Sequence, residues 1–303
     1  MVVSQSVEQS AGIHRALMPY GLGAPGLDLL AHWNLAERPF EPTWDSRFFF
    51  QGRQHDEALS RLEFLAGEQT MLFGMLTGEF GCGKTITRAV FAEQLDPQFF
   101  QVVTIENSSF SFPELLGLAM REMGGDPNDF GRTKFSRCDR FRRMLERVAA
   151  ESRHVVLIFD EAQEMSPSAL NELKLLTNLN SGGRSYLTVI LVGQPELRDR
   201  VAKMPALEQR VSLNFHLNPL SVEESAAYLR HRLQVAGHPT GEIFVADALQ
   251  RMFEISQGIP RELNRLAKLA MEFAWVGEQA EVTAAAVDAA ARDRKPRQNL
   301  LKA

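Results

Sequence analysis

The residues of this 303-residue chain whose types and spacing can do chemistry fall in two short phrases. The first is Gly78-Glu79-Phe80-Gly81-Cys82-Gly83-Lys84-Thr85, followed by Ile86. Its three glycines let backbone N–H groups turn inward, and a helix starting near the lysine adds unpaired donors and the positive end of its dipole. Such a loop suits phosphate: Lys84 would reach the β and γ phosphates of a nucleotide, and the Thr85 hydroxyl would hold Mg²⁺. The second phrase is Asp160-Glu161-Ala162-Gln163. Asp160 is placed to join the Mg²⁺ shell and Glu161 to orient and polarise an attacking water, because phosphoryl transfer needs positioning and charge stabilisation more than covalent help. Two acids after a strand often merely cap the following helix. About seventy-five residues downstream of a phosphate loop, they become a specific signal.

The elements that must position these groups are readable around them. An apolar run at Leu72–Leu76 leads into the loop, and Ile86–Leu95 reads as the helix that leaves it. His154–Phe159 is continuously apolar and rich in β-branched residues, as a strand buried on both faces of a parallel sheet must be. Leu187–Val192 is a similar strand, ending in Gly193-Gln194-Pro195, so Gln194 is a candidate sensor of the γ phosphate. Gln101–Glu106 alternates into a further strand that ends at Asn107-Ser108-Ser109, and Val211–Leu217 alternates as a fifth. Between them the sequence predicts helices. One spans His55–Leu65, one spans Phe112–Met123 with a Ser111/Glu114 capping box, and one begins at Ser166-Pro167, buries Leu170, Leu173, Leu176 and Leu179, and closes at Ser181-Gly182-Gly183. After Asn218-Pro219-Leu220 the pattern becomes helical throughout. Ser221 and Glu224 open one helix, Val245–Ile255 forms the next, a third buries Leu263, Leu266, Leu269 and Phe273, and Thr283 caps a fourth. The organisation predicted is an N-terminal extension over 1–37, partly disordered and with a short helix at Leu27–Leu35, then an αβα domain with a parallel sheet over 38–218. A small all-helical domain over 219–291 and a basic tail over 292–303 complete it.

Composition limits the remaining possibilities. A 45% hydrophobic chain of this length can bury a large core, and a net charge of -5 leaves any nucleic-acid role to a local patch. Cys82 and Cys138 are the two cysteines, too few for a disulfide framework, which fits a reducing cytoplasm. No apolar run reaches membrane-spanning length and no signal peptide is readable. The candidate patch is the predicted helix Arg132–Val148. Phe135, Cys138, Phe141, Leu145 and Val148 form its apolar stripe, with Arg132, Lys134, Arg137, Arg140, Arg142, Arg143 and Arg147 off it. That face is either solvated or bound to something anionic, such as DNA. A segment rich in aromatics and turns, from Pro39-Phe40 through Trp44 to Phe48-Phe49-Phe50, either covers the base and ribose of a nucleotide or packs as an arm.

These phrases, with Leu191-Val192-Gly193-Gln194-Pro195-Glu196-Leu197-Arg198, Glu208-Gln209-Arg210-Val211 and Gly258-Ile259-Pro260-Arg261, make the chain similar to AAA+ ATPases, and among them to the ExeA/GspA-like branch. The resemblance covers roughly residues 38 to 290. It implies ATP and Mg²⁺ as cofactors and hydrolysis of ATP in a homo-oligomer, as a ring or a filament. It also implies Asn107 as a polar switch that holds Glu161 inactive, Gln194 as sensor 1, Arg210 as a finger reaching a neighbouring subunit's nucleotide, and Arg261 as sensor 2. For the process served it implies assembly of secretion or pilus machinery, with the protein cytoplasmic and peripheral to the inner membrane. Two alternatives stay open: a DNA-binding ATPase of the TnsC and MuB kind that recruits a transposase, with DNA on Arg132, Lys134, Arg137, Arg140 and Arg143, and a slow nucleotide-gated scaffold.

Overall fold

Parallel strands buried on both faces need helices above and below them, and this arrangement is found in the computed structural model, which describes residues 26–43, 45–70, 72–181 and 184–293. The described residues form two units: 45–220 with 259–261, and 26–43 with 221–258 and 262–293.

The first unit is built on five strands, β1 (Phe73–Gly78), β2 (Phe100–Ile105), β3 (His154–Phe159), β4 (Leu187–Gly193) and β5 (Val211–Leu217). They are all parallel and lie in the order β2-β3-β4-β1-β5. Its helices are α2 (Arg53–Glu68), α3 (Lys84–Gln94), α4 (Phe112–Glu122), α5 (Lys134–Ala150), α6 (Pro167–Glu172) and α7 (Pro195–Ala202); α1 (Gly26–His32) belongs to the second unit. The period of two along each strand sorts the core into two layers. Phe73, Met75, Val155, Leu157, Phe159, Val189 and Leu191 point to α4, α5, α6 and α7, meeting Leu115, Leu116, Phe141, Leu145, Leu170 and Leu197. Leu76, Val156, Ile158, Ile190, Val192 and Leu217 point the other way, to Leu59, Leu62 and Leu65 of α2 and Val90 and Phe91 of α3.

Local signals set several boundaries as predicted. Ser111 and Glu114 cap each other's backbone at α4, and Ser166 accepts from Ala169 N–H ahead of Pro167. The helix expected to run on through Leu179 departs from prediction: α6 stops at Glu172 and tightens into a 3₁₀ segment, Leu173–Asn178. Asn180–Ser181 then pairs antiparallel with Arg184–Ser185, and the Gly182-Gly183 expected to close the helix lies outside the described residues. Phe135, expected on the buried stripe of α5, is 83% exposed, whereas Phe141, Leu145 and Val148 are buried.

The second unit holds α8 (Val222–Val235), α9 (Ala246–Ser256), all but the first residues of α10 (Pro260–Val276), and α11 (Ala284–Asp293). Ser221 and Glu224 form the expected capping box of α8. In α10 the buried face is Leu263, Leu266, Ala267, Ala270, Met271 and Ala274. Leu269 and Phe273, predicted to be buried, are respectively half-buried and 37% exposed. Residues 38–43, assigned by sequence to the sheet domain, group with these helices. Arg232, buried on α8, donates to the carbonyls of Pro39 and Glu41, Lys268 pairs with Glu41, and Phe40 meets Phe244 edge-on. Phe40 is buried in this unit, and Phe48 and Phe49 are buried in the sheet unit. Residues 1–25, Trp44 and the tail from 294, on which other expectations fell, lie outside the described residues.

Candidate functional site

Parallel pairing brings the carboxyl ends of β1, β3 and β4 to one edge of the sheet, where α/β proteins place their ligands. Thr77 pairs with Gly193, so Gln194 lies level with Gly78; Phe159 pairs with Leu191 and with Ile105, so Asp160 lies on the same edge beside the tip of β2. The loop Gly78–Lys84 leaves the middle of this edge. Gly78 must lack a side chain because a Cβ there would sit 2.6 Å from the Leu217 carbonyl oxygen on β5. Gly83 is the N-cap of α3 with φ +93, and no side chain caps that helix. Its first-turn N–H groups are therefore left without a side-chain cap, as anion binding at a helix start needs. Cys82 N–H donates to the Glu79 carbonyl at 3.2 Å and closes the loop. The Cys82 side chain is buried and its thiol pKa is raised by that burial, while Ile86 packs into the core behind it.

Lys84 is the informative side chain. It is buried, and its ammonium donates to the carbonyls of Gly78 at 2.8 Å and Glu79 at 3.0 Å. Burial pulls its pKa down, opposed first by the nearby charge of Glu161 and then by Cys82, Asp160 and Glu79. Its hydrogen bonds go to neutral carbonyls while the nearby carboxylates act on it only through space, so the loop can exchange those carbonyls for the oxygens of a polyanion. Thr85, next along α3, is half-buried.

Asp160 and Glu161 sit at the end of β3 with different surroundings. Asp160 is buried, and burial pushes its carboxyl above the usual range against the pull of Arg88. Arg88 Nε lies 3.1 Å from Asp160 Oδ2, and the Ser108 hydroxyl donates to the Asp160 carbonyl at 2.6 Å. Thr85 and Asp160 carry a hydroxyl and a carboxylate, oxygen donors of the kind that could hold Mg²⁺ beside phosphates. Among the described residues no group of three or more potential metal ligands stands ready without them. Glu161 is half-buried, with φ 47 and ψ 41, a left-handed backbone that is uncommon for a residue with a side chain. Its carboxylate accepts from Gln163 Nε2 at 2.5 Å.

The other predicted residues are placed as follows. Asn107 is exposed, and its amide oxygen accepts from the N–H and hydroxyl of Ser109 at 3.0 and 2.6 Å. The structure thus directs this oxygen at its own turn, and it is Ser108 that reaches the Asp160–Glu161 backbone. Gln194 is the N-cap of α7, and its backbone N–H donates to Gln163 Oε1 at 3.0 Å. Arg261 stacks over the exposed ring of Phe80, 4.0 Å from the centroid, and its N–H donates to the Gly81 carbonyl at 3.3 Å. Arg210 donates to the Ala206 carbonyl. It precedes Val211, which pairs with Phe73 at the start of β1, while the loop follows Gly78 at the end of that six-residue strand. At about 3.3 Å per residue the two stand roughly 20 Å apart along the sheet.

Most of the basic residues of the predicted anionic-ligand face have partners within the protein. Lys134 pairs with Glu172, Arg140 with Asp129, Arg142 with Asp139 and Glu146, Arg143 with Asp139, and Arg147 with Glu151. Arg137 donates to the carbonyls of Gly131 and Pro113. The sequence reading passed over Arg88, though it lies four residues after Lys84 on one helix face. It also passed over Arg200, which donates to the carbonyls of Gln163 and Met165, and His55, whose Nε2 would lie 3.3 Å from a Cβ on Gly83.

Comparison with known proteins agrees with this geometry. The family described as AAA domain matches residues 68–201. General secretion pathway protein A of Aeromonas hydrophila is 36% identical over 242 residues, covering 79% of this chain and 43% of that protein. The chain thus spans less than half the length of this relative. Among solved structures, the Aeropyrum pernix ORC2 protein in ADPNP–ADP complexes is similar with a TM-score of 0.62 at 15% identity, over 82% of this chain and 71% of that one. Cdc6p from Pyrobaculum aerophilum is similar with a TM-score of 0.60 at 18% identity, over 82% and 70%. At such identities these two structures speak for the fold alone. Among the described residues no helix is long and apolar enough to cross a membrane.

Proposed function

The chain is an AAA+ protein of the ExeA/GspA-like kind, and from that premise we propose that it binds MgATP at the β1–α3 loop, hydrolyses it in a homo-oligomer, and uses ATP state to drive assembly of secretion machinery from the cytoplasmic side of the inner membrane. The observation that carries the reading is Lys84, a buried ammonium hydrogen-bonded to the carbonyls of the loop it closes. When phosphates enter, Lys84 exchanges those carbonyls for the β and γ oxygens, and the N–H groups around Gly81 and Gly83 bind the same charge. Thr85 and Asp160 would hold Mg²⁺, which neutralises charge on the phosphates. Glu161 orients water and takes up its proton, and Gln194, level with Gly78 at the tip of β4, contacts the γ phosphate.

Arg210 acts on a neighbouring subunit in this reading. The support is its distance of roughly 20 Å along the sheet from its own loop, too far for an arginine to span. An oligomer in which each site takes one arginine from next door follows. The partner is assigned by relationship: General secretion pathway protein A is the relative at 36% identity, and the ion pairs along α5 leave its arginines already engaged rather than held ready for DNA phosphates.

Mixing two inactive variants tests this reading. Arg210→Ala should bind ATP but turn over on the order of 10³ times more slowly, and adding Lys84→Ala subunits should restore part of the activity, because some mixed interfaces join an intact loop to an intact arginine. No recovery at any ratio, in variants that co-assemble, would remove the shared site.

A further inference from the structure

We propose that Gln163 is the positioning residue that restrains Glu161, and that it ties this restraint to the tip of β4. The inference rests on the ATPase reading above. Its basis is the double hydrogen bond of one side-chain amide: Gln163 Oε1 accepts from the Gln194 backbone N–H at 3.0 Å while Gln163 Nε2 donates to Glu161 Oε2 at 2.5 Å. The orientation of the amide follows from its neighbours. A backbone N–H can only donate, so Oε1 must face Gln194, and an ionised carboxylate can only accept, so Nε2 must face Glu161.

The turn beneath is fixed as well. Arg200 on α7 donates to the carbonyls of Gln163 and Met165, so the Glu161–Met165 turn and the Gln194–Arg200 segment are bound at three points. Gly193 completes the fit, since a Cβ there would lie 2.7 Å from Gln163 Oε1. Nothing equivalent reaches Glu161 from β2, where Asn107 turns its amide oxygen to Ser109.

This arrangement has a chemical consequence. A charge-assisted hydrogen bond occupies the oxygen that water would otherwise use and fixes the carboxylate's orientation. Glu161 in this state is held away from the water it would activate. A shift of the Gln194 turn, such as contact with a γ phosphate would cause, withdraws the donor that fixes Oε1, frees the amide and releases Glu161. Gln163 thereby makes turnover depend on what Gln194 touches.

Three variants test it. Gln163→Ala should raise kcat for ATP roughly tenfold, about what one hydrogen bond to a charged group is worth, while KM and the affinity for a non-hydrolysable ATP analogue hold. Adding Glu161→Gln should abolish the gain. Gly193→Ala, which displaces the Gln163 amide, should raise kcat in the same way and covers the case in which Gln163→Ala fails to fold.

The contact also has a readout independent of turnover. The Gln163 side-chain NH₂ signal, assigned by its absence in Gln163→Ala, should shift in Glu161→Gln. An unshifted signal, or a kcat unchanged or lowered in Gln163→Ala and Gly193→Ala with analogue affinity intact, would overturn the restraint. By contrast, a wild-type turnover that survives Glu161→Gln would bring down the ATPase reading itself.

Discussion

His154 opens the strand that carries Asp160 and Glu161, and its environment sets an acid limit on the fold. The imidazole is buried, its Nε2 lies 2.9 Å from Thr188 Oγ1, and Phe100 meets it edge-on. Burial drives its pKa down from 6.5 to about 4. The folded protein therefore holds it neutral where the unfolded chain binds a proton. The sign follows: this stability is fully present above about pH 6.5 and is lost as pH falls toward 4. With one pKa unit equal to about 1.36 kcal/mol, the full loss is about 3.4 kcal/mol, and by pH 5 about 2 kcal/mol of it is gone. His154→Gln keeps a donor for Thr188 but does not titrate. Urea unfolding at pH 7.5 and pH 5 should show wild type losing about 2 kcal/mol more than the variant between the two. Carboxylates contribute equally to both proteins, so they cancel in the comparison, as does any fixed cost of reshaping the site. Equal losses in the two proteins would refute the assignment of a buried neutral imidazole.

Other outcomes follow from particular contacts. Arg88→Met leaves the buried Asp160 carboxylate without its ion-pair partner and should cost about 3–5 kcal/mol in thermal or chemical melts. Adding Asp160→Asn should recover much of that loss, and equally low melts would contradict the pairing. Phe141→Ala, at a fully buried position, should cost about 3–5 kcal/mol, whereas Phe135→Ser on the same helix should change stability by less than about 0.5 kcal/mol. Because Arg140 and Arg143 are engaged by Asp129 and Asp139, duplex DNA should show no shift with a non-hydrolysable ATP analogue at low salt. A shift that falls steeply with salt and is abolished by Arg140→Glu with Arg143→Glu would reinstate the DNA alternative.

What was legible in the sequence was local or periodic. The glycine loop, the Asp160-Glu161 pair, the apolar strands and the capping pairs Ser111/Glu114 and Ser221/Glu224 all depend on residues within a few positions of one another, and the structure carries each of them. The misreadings concern long-range neighbours. Helical spacing gave Phe135 and Phe273 the right angular face, but angle does not say whether a neighbouring element extends far enough to cover them. The partners of the basic side chains on α5 include Asp129 for Arg140 and Glu172 for Lys134, both off that helix. Residues 38–43 join the helical unit through Arg232, more than 190 positions away, and nothing in their own sequence announces it. Gln163 stood in the quoted Asp-Glu-Ala-Gln phrase, yet its role depends on strand register that brings Gln194 beside it.

The central claim is that the β1–α3 loop binds ATP and that Glu161 turns it over, and one paired measurement tests it most directly: ATP affinity and steady-state hydrolysis in Lys84→Ala and Glu161→Gln beside the wild type. Lys84→Ala should lose most of its affinity, because Lys84 meets phosphates in the ground state, while Glu161→Gln should bind ATP as tightly as wild type and hydrolyse essentially none. Tight binding by Lys84→Ala, or unchanged hydrolysis by Glu161→Gln, would contradict the account.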